Sequence, residues 1–250
     1  MRHYLSLAAL AFAALQAFFL LRVAVMGYIA PESTSFQRSE MWRISVLNIT
    51  QNLPFNRQPL LPWKQQWVPY EQIAVSLKQA IILSEDENFT QHNGVEWRAI
   101  EKAWNKNERA QQRAEQQNST KPPKIMGAST ITQQLAKNLF LSSERHLWRK
   151  GQELMLTLVL EQMLSKRRIL EIYLNNVEWG EGIFGAEAAA RYYFGKSAAH
   201  LNAAEAARLA VMLPGPRAYQ KRFHKSPYLA TRAASIQNRL GMAHIPMAAP

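Results

Sequence analysis

The sequence predicts a mainly α-helical protein carried on an N-terminal membrane helix. Three observations point there. Apolar residues recur at steps of three and four through much of the chain after Glu71. No segment sustains the apolar–polar alternation of a half-buried strand, so β structure is expected only as a short hairpin. The chain also opens with an apolar run over residues 5–21, interrupted only by Ser6 and Gln16. About 20 apolar residues suffice to cross the hydrocarbon core of a bilayer.

Residues 4–27 therefore read as a transmembrane helix, with Arg22 near one end and able to snorkel. A cleaved signal peptide is the competing reading. The run is long for such a peptide, and residues 25–30 offer no small-x-small cleavage site. Arg2 and the amino terminus favour a cytoplasmic start, but Arg22 and Arg38 pull the other way, so charge leaves orientation nearly balanced.

Removing the anchor from 250 residues leaves enough chain for one well-buried core. Apolar residues at 48% and charged residues at 19% suit a globular body rather than a disordered one. Thirty Lys and Arg against 18 Asp and Glu give a net charge of +12. That balance favours nucleic acid, anionic lipid heads or phosphorylated substrates without choosing among them. The absence of cysteine excludes disulfides and thiolate metal sites. The six histidines show no HExxH or HxH spacing.

Along residues 31–69, Pro54, Pro59, Pro62 and Pro69 are expected to break any long helix. Trp42, Trp63 and Trp67 fit a membrane interface or a core equally well. From Glu71 the pattern turns helical, with Ile73, Leu77, Ala80, Ile81 and Ser84 on one stripe and Glu85 and Asp86 at its C-terminal end. Before Pro122 and Pro123 end it, the stretch 105–124 holds only Ala110 and Ala114 as apolar members and reads as a solvated helix or a mobile lid. Residues 127–141 read as a helix with Ser129 as N-cap. Residues 152–164 are apolar on several sides, the mark of a buried helix, and Lys166, Arg167 and Arg168 break it. An apolar run over 169–174 and small-residue helices over 186–190 and 203–213 complete the chain to Pro214.

Three stretches carry candidate chemistry. The first is Glu85, Asp86 and Glu87, followed by Phe89, His92 and Gly94. Three acids at a helix C-terminus oppose the macrodipole, and crowded carboxylates raise one another's pKa, as a general base or acid requires. A solvated acidic turn is the bland alternative. The second, residues 127–138, brings Ser129, Thr130, Thr132, Gln133, Gln134 and Lys137 to a helix amino end, where free N–H groups bind anions. A well-capped helix with a polar face is its alternative. The third places Arg145, Arg149 and Lys150 near Glu153. It is either a phosphate clamp with a second acid or an ordinary Arg149–Glu153 ion pair on the surface.

Together the three stretches resemble the peptidoglycan glycosyltransferases, glycosyltransferase family 51. The family's first motif matches Glu85, Asp86, Phe89, His92 and Gly94. Its second matches residues 127–138, and its third matches Arg149, Lys150 and Glu153. A fourth resembles residues 166–175, ending in Tyr173, Leu174 and Asn175. The stretch from Gly182 to Gly185, with Glu187, Ala188, Ala189, Tyr193 and Phe194, is similar as well. The match covers about residues 68–216. It is closest to the monofunctional form, because an anchor leads into this domain and little length remains for a transpeptidase. Glu87 and Asn88 depart from many members, residues 105–124 look long, and the last Arg-rich motif is only faintly represented by Arg232 and Arg239.

The resemblance implies a lysozyme-like glycosyltransferase domain over 68–250, a membrane-proximal segment over 31–67, and a cytoplasmic tip with anchor over 1–30. It implies polymerisation of lipid II into glycan strands at the bacterial inner membrane, on the periplasmic side, with undecaprenyl pyrophosphate released. A lytic transglycosylase is the alternative. Glu85 is the expected base. Lys137, Arg145, Arg149 and Lys150 are expected to bind pyrophosphate, and Thr130, Gln134 and Asn138 to hold sugar or phosphate. Asp86, Phe89 and His92 are expected to line and shape the substrate site. Glu153 would support the leaving group, through a divalent cation (Mg²⁺ or Mn²⁺) or by positioning the basic residues, with no organic cofactor. The expected partners are lipid II, the growing strand, the membrane and cell-wall or division proteins, not nucleic acid.

Overall fold

The computed structural model describes residues 2–51, 60–117, 127–141 and 147–247. Arg145, and the last part of the 105–124 stretch, lie outside the described residues. The first element, α1 (Arg2–Met26), is 25 residues long. At about 1.5 Å per residue it exceeds the ~30 Å hydrocarbon thickness of a bilayer. It is long and apolar enough to cross a membrane, and most of its surface is uncovered. Its last turn is held by the body: Arg168 donates to the Met26 carbonyl at 2.7 Å, and Val23 and Met26 enter the core. Arg22 does not simply extend toward water, because its guanidinium stacks 5.4 Å over the Phe140 ring.

The prolines do not prevent a long helix beyond the anchor. α2 (Ser35–Gln51) runs 17 residues between Pro31 and Pro54. Thr34 and Gln37 cap each other at its start, each side-chain oxygen accepting from the other's backbone N–H. Polar contacts fasten it to the body: Ser35 Oγ donates to the Leu139 carbonyl at 3.0 Å, and Gln37 Nε2 to the Asn176 carbonyl at 3.3 Å. The tryptophans divide. Trp42 is exposed, Trp63 stacks on Phe184, and Trp67 packs against the core.

A small sheet forms beside α2. β1 (Lys64–Gln65) pairs in parallel with β3 (Ile183–Phe184), and β3 pairs antiparallel with β2 (Glu178–Gly180). The β2–β3 hairpin meets the sequence expectation; the parallel third strand does not follow from it. Gly182 makes the close approach: at φ +69°, a Cβ there would lie 1.8 Å from the Pro62 carbonyl oxygen.

The helical body consists of α3 (Val75–Glu85), α4 (Trp97–Gln116), α5 (Ile131–Phe140), α6 (Leu147–Met163), α7 (Lys166–Asn176), α8 (Ala186–Phe194), α9 (Ala203–Ala210), α10 (Pro216–Gln220) and α11 (Pro227–Gln237). α3 packs on α9, which also packs on α11, while α5 packs on α6 and α7. The stripe Leu77, Ala80 and Ile81 is buried as its spacing predicts, although Ile73 precedes the helix after a short 3-10 turn. The basic triplet does not break a helix. α6 ends at Met163, Ser165 accepts from the Arg168 N–H as N-cap, and Lys166 opens α7. Nor is α6 buried all round. Leu156 and Leu160 face the core, whereas Met155, Leu158 and Met163 are exposed on a helix that also contacts α1. The described part of the 105–124 stretch is helical, the outer half of α4.

Candidate active site

α3 and α5 build the centre. Glu85 is the last residue of α3 and Asp86 its C-cap. The three neighbouring acids then diverge. Glu85 turns toward α5, where its Oε2 accepts from Gln134 Nε2 at 2.9 Å. Asp86 is buried and fully used: Oδ2 accepts from the Ile131 N–H at 3.0 Å, and Oδ1 lies 2.8 Å from His92 Nε2. Glu87 points outward and pairs with Arg239. Crowding is therefore not the main influence on Glu85. Burial chiefly pushes its carboxyl above the usual range; Gln134, Ser84 and the positive field of Arg232 pull it down, and Asp86 adds a smaller upward push.

The amino end of α5 does not await an external anion. Asp86 occupies its first N–H, and the N-cap is Thr130 rather than Ser129. Thr130 Oγ1 accepts from the Gln133 N–H while Gln133 Oε1 accepts from the Thr130 N–H, a reciprocal box. Thr130 also donates to the Gly94 carbonyl at 2.6 Å, so its buried hydroxyl is committed. Thr132 donates to Glu161, which Lys166 pairs at 2.9 Å. What faces outward from α5 is Gln134, Lys137 and Asn138, which share one helical face at steps of three and four.

The loop between α3 and α4 is set by these contacts. Phe89 is fully enclosed, with the Lys166 ammonium 4.5 Å over its ring. It shapes the site and offers no face to substrate, contrary to the binding role expected of it; buried Thr130 is likewise architectural. The Gly94 N–H donates to His92 Nδ1 at 3.1 Å, so the neutral ring carries its proton on Nε2 and donates it to Asp86. Gly94 itself is at φ +87°, and a Cβ would lie 2.7 Å from Thr157 Cγ2 on α6. Asp86, His92 and Glu96 are near enough to one another to hold a metal ion. Asp86 and His92 are hydrogen-bonded to each other, and Glu96 Oε1 accepts from Asn88 Nδ2 at 2.6 Å, so these contacts brace the loop.

At the start of α6, the Arg149–Glu153 ion pair that the sequence left open as the bland alternative does not form. Glu153 is buried and ion-paired to Lys150. Arg149 forms no ion pair with it, and its Nε is buried without a hydrogen-bond partner. Lys150 also lines a cleft of about 250 Å³ with Ile100, Ala103 and Trp104 of α4, together with Ser129 and Gln133. α4 thus forms a wall beside the cationic end of the site.

Two contributors appear in the sequence only within family-like motifs, without an assigned role. Tyr173, fully buried on α7, donates its hydroxyl to Gln134 Oε1 at 3.0 Å. That bond fixes the Gln134 amide so that its NH₂ faces Glu85. Burial, then the charges of Glu85 and Asp86, push the Tyr173 phenol well above its ordinary pKa and keep it a donor. Arg232, on α11, is the second, acting on Glu85 through its charge. Asn175 has a scaffolding role: its amide accepts from the Val68 N–H at 2.8 Å and donates to the Val68 carbonyl at 2.9 Å. The Tyr-Leu-Asn string was the available signal, but spacing along α7 cannot show what its side chains meet.

A transglycosylase family model matches residues 58–240. The chain belongs to the transglycosylase family. A biosynthetic peptidoglycan transglycosylase of Paraburkholderia xenovorans (strain LB400) is 49% identical over 238 residues, covering 95% of this chain and 90% of the relative. One from Bordetella pertussis (strain Tohama I / ATCC BAA-589 / NCTC 13251) is 50% identical over 220 residues, covering 88% and 84%. One from Bordetella avium (strain 197N) is 52% identical over 219 residues, covering 86% and 82%. Family membership accounts for the mainly α, lysozyme-like body.

Proposed function

We propose that this transglycosylase polymerises lipid II into peptidoglycan strands. The 4-hydroxyl of one sugar attacks the anomeric carbon of the lipid-linked chain. The new carbon–oxygen bond forms as the bond to pyrophosphate breaks, with inversion at that carbon. Glu85 accepts the hydroxyl proton, and undecaprenyl pyrophosphate leaves with the bonding electron pair. The observation that carries this reading is Glu85 itself: a carboxyl at a helix end, held by one oxygen to Gln134, with its pKa pushed above the usual range by burial.

Gln134 also orients the base, while Lys137, Asn138, Arg149 and Lys150 receive the pyrophosphates. Arg145 joins them by resemblance to the family. Glu153 holds Lys150 in place. A divalent cation fits here only in part, since Glu153 offers one carboxylate already paired to Lys150. Mg²⁺ or Mn²⁺ would take Glu153 and draw its other ligands from pyrophosphate oxygens, adding positive charge beside the leaving group.

The relatives' names support synthesis over glycan cleavage, and a lytic enzyme has no need of a pyrophosphate-binding cluster. α1 would cross the inner membrane once, with the body on the periplasmic side where the lipid-linked sugars emerge. The exposed Met155, Leu158 and Met163 beside it would then lie near lipid. Cell-wall or division proteins are the partners this placement implies. Product analysis separates the two chemistries. Purified full-length chain should convert labelled lipid II into long glycan and release no fragments from sacculi; fragments without use of lipid II would overturn the synthetic reading.

A further inference from the structure

A second pocket lies at the foot of the anchor and shares no residue with the Glu85 site. It measures about 280 Å³, and its walls include Arg22, Val25, Met26, Ile29, Glu32 and Arg38. Its two sides differ in chemistry. Val25, Met26 and Ile29 make an apolar wall continuous with α1, and Val25 and Ile29 are largely exposed. Arg22 and Arg38 supply two cations. Neither has a carboxylate partner among the described residues.

Both guanidiniums are nevertheless held in place. Arg22 rests on the Phe140 ring. Arg38 donates to the Ser33 carbonyl at 3.2 Å, to Ser33 Oγ at 3.3 Å and to Ser35 Oγ at 3.0 Å. These contacts fix position without neutralising charge. The first turn of α2 opens at the same corner and contains no acid, so its dipole adds to the positive potential. Glu32 is the sole acid on the wall, is exposed, and makes no ion pair with either arginine.

We propose that this pocket binds the phosphodiester headgroup of an anionic phospholipid, whose acyl chains run along Val25 and Ile29 beside α1. The proposal rests on the reading of α1 as a membrane span. Two arguments select a phospholipid rather than the lipid-linked pyrophosphate. The apolar wall belongs to the span itself, where bilayer lipid is the constant neighbour. The substrate's pyrophosphate also has its own cations at Lys137, Arg149 and Lys150, in a site with which this pocket shares nothing.

The test uses the full chain in phosphatidylcholine nanodiscs carrying a trace of photoactivatable phosphatidylglycerol. Cross-links should map to the peptide spanning residues 22–38. Unlabelled phosphatidylglycerol should compete and phosphatidylcholine should not. Arg38→Gln should lower capture, and the Arg22→Gln/Arg38→Gln pair should lower it roughly tenfold, because each basic residue near an anionic headgroup adds attraction. Glu32→Gln should raise it. Equal labelling by a phosphatidylcholine probe, or undiminished capture by the double variant, overturns the proposal. So does displacement by undecaprenyl pyrophosphate at a lower mole fraction than phosphatidylglycerol needs. Alkaline carbonate extraction is run in parallel. Release of the chain overturns the membrane-span reading itself, whereas a retained chain without lipid preference overturns the pocket alone.

Discussion

The role proposed for Glu85 rests on neighbours that oppose one another. Burial favours the neutral acid, while Gln134, Ser84 and Arg232 favour the carboxylate. The balance leaves a carboxyl whose pKa lies above its ordinary range, the direction that suits a general base. The Tyr173–Gln134 bond is part of that balance, because a rotated amide would present its oxygen to Glu85 and repel it. Tyr173→Phe should therefore move the acidic limb of the pH–rate profile to higher pH. It should lower kcat roughly three- to tenfold, the size of one lost hydrogen bond, with little change in KM. An unshifted limb would show that Tyr173 merely fills space. Arg232→Gln should shift the same limb in the same direction, since a stabilising positive field is lost. A limb displaced to lower pH would contradict the electrostatic assignment.

At the scale of elements, Asp86 joins the end of α3 to the start of α5, and so fixes where Glu85 and Gln134 meet. Asp86→Asn removes the charge opposite the α5 dipole and cannot satisfy both Ile131 and His92 as the carboxylate does. It should cost about 1–3 kcal/mol of stability and reduce turnover, read by denaturant melts and a polymerisation assay. Unchanged stability would remove Asp86 from this joint. The same elements show what could be read in advance. The stripe of Leu77, Ala80 and Ile81 announced α3, and the Glu85-to-Gly94 spacing marked the loop that matters. α2 was hidden because its apolar residues do not serve one core-facing stripe: Trp42, Val46 and Ile49 share an exposed face, Ile44 alone of the four is buried on the other side, and polar links to Leu139 and Asn176 hold the helix. Lys166, Arg167 and Arg168 looked like a break because the capping of the Arg168 N–H by Ser165, which opens α7, becomes visible only once α7 turns away from α6. Gln134, Lys137 and Asn138 were legible through the resemblance of residues 127–138 to the family's second motif. The occupation of the α5 amino end by Asp86 was not, because that contact joins residues 45 positions apart.

Across the whole molecule, the anchor, α2, the sheet and the helical body are tied by few but directed contacts. Glu40 on α2 pairs with Arg43 and with Arg217 of α10, each at 2.7 Å. Arg217 also holds Glu178 of β2 at 2.7 Å, and Arg43 reaches Glu181 at 2.9 Å. Burial pushes Glu178 above its ordinary pKa although Arg217 pulls it down. Arg217→Ala would leave that buried carboxylate unpaired and should cost about 2 kcal/mol, seen as a lowered denaturant midpoint. No change in midpoint would mean the network does not couple α2 to the sheet. The frame these contacts make serves one reacting group, and the most direct test is lipid II polymerisation by Glu85→Gln in the full-length, membrane-reconstituted chain. A raised folded pKa means that Glu85 contributes most to stability below its unfolded value, and that this contribution is lost as pH rises through the folded value. At neutral pH the neutral glutamine should therefore fold at least as stably as wild type. The account predicts a folded variant with polymerisation reduced about a thousandfold or more, the scale of a lost general base; a folded variant that polymerises at the wild-type rate would contradict it.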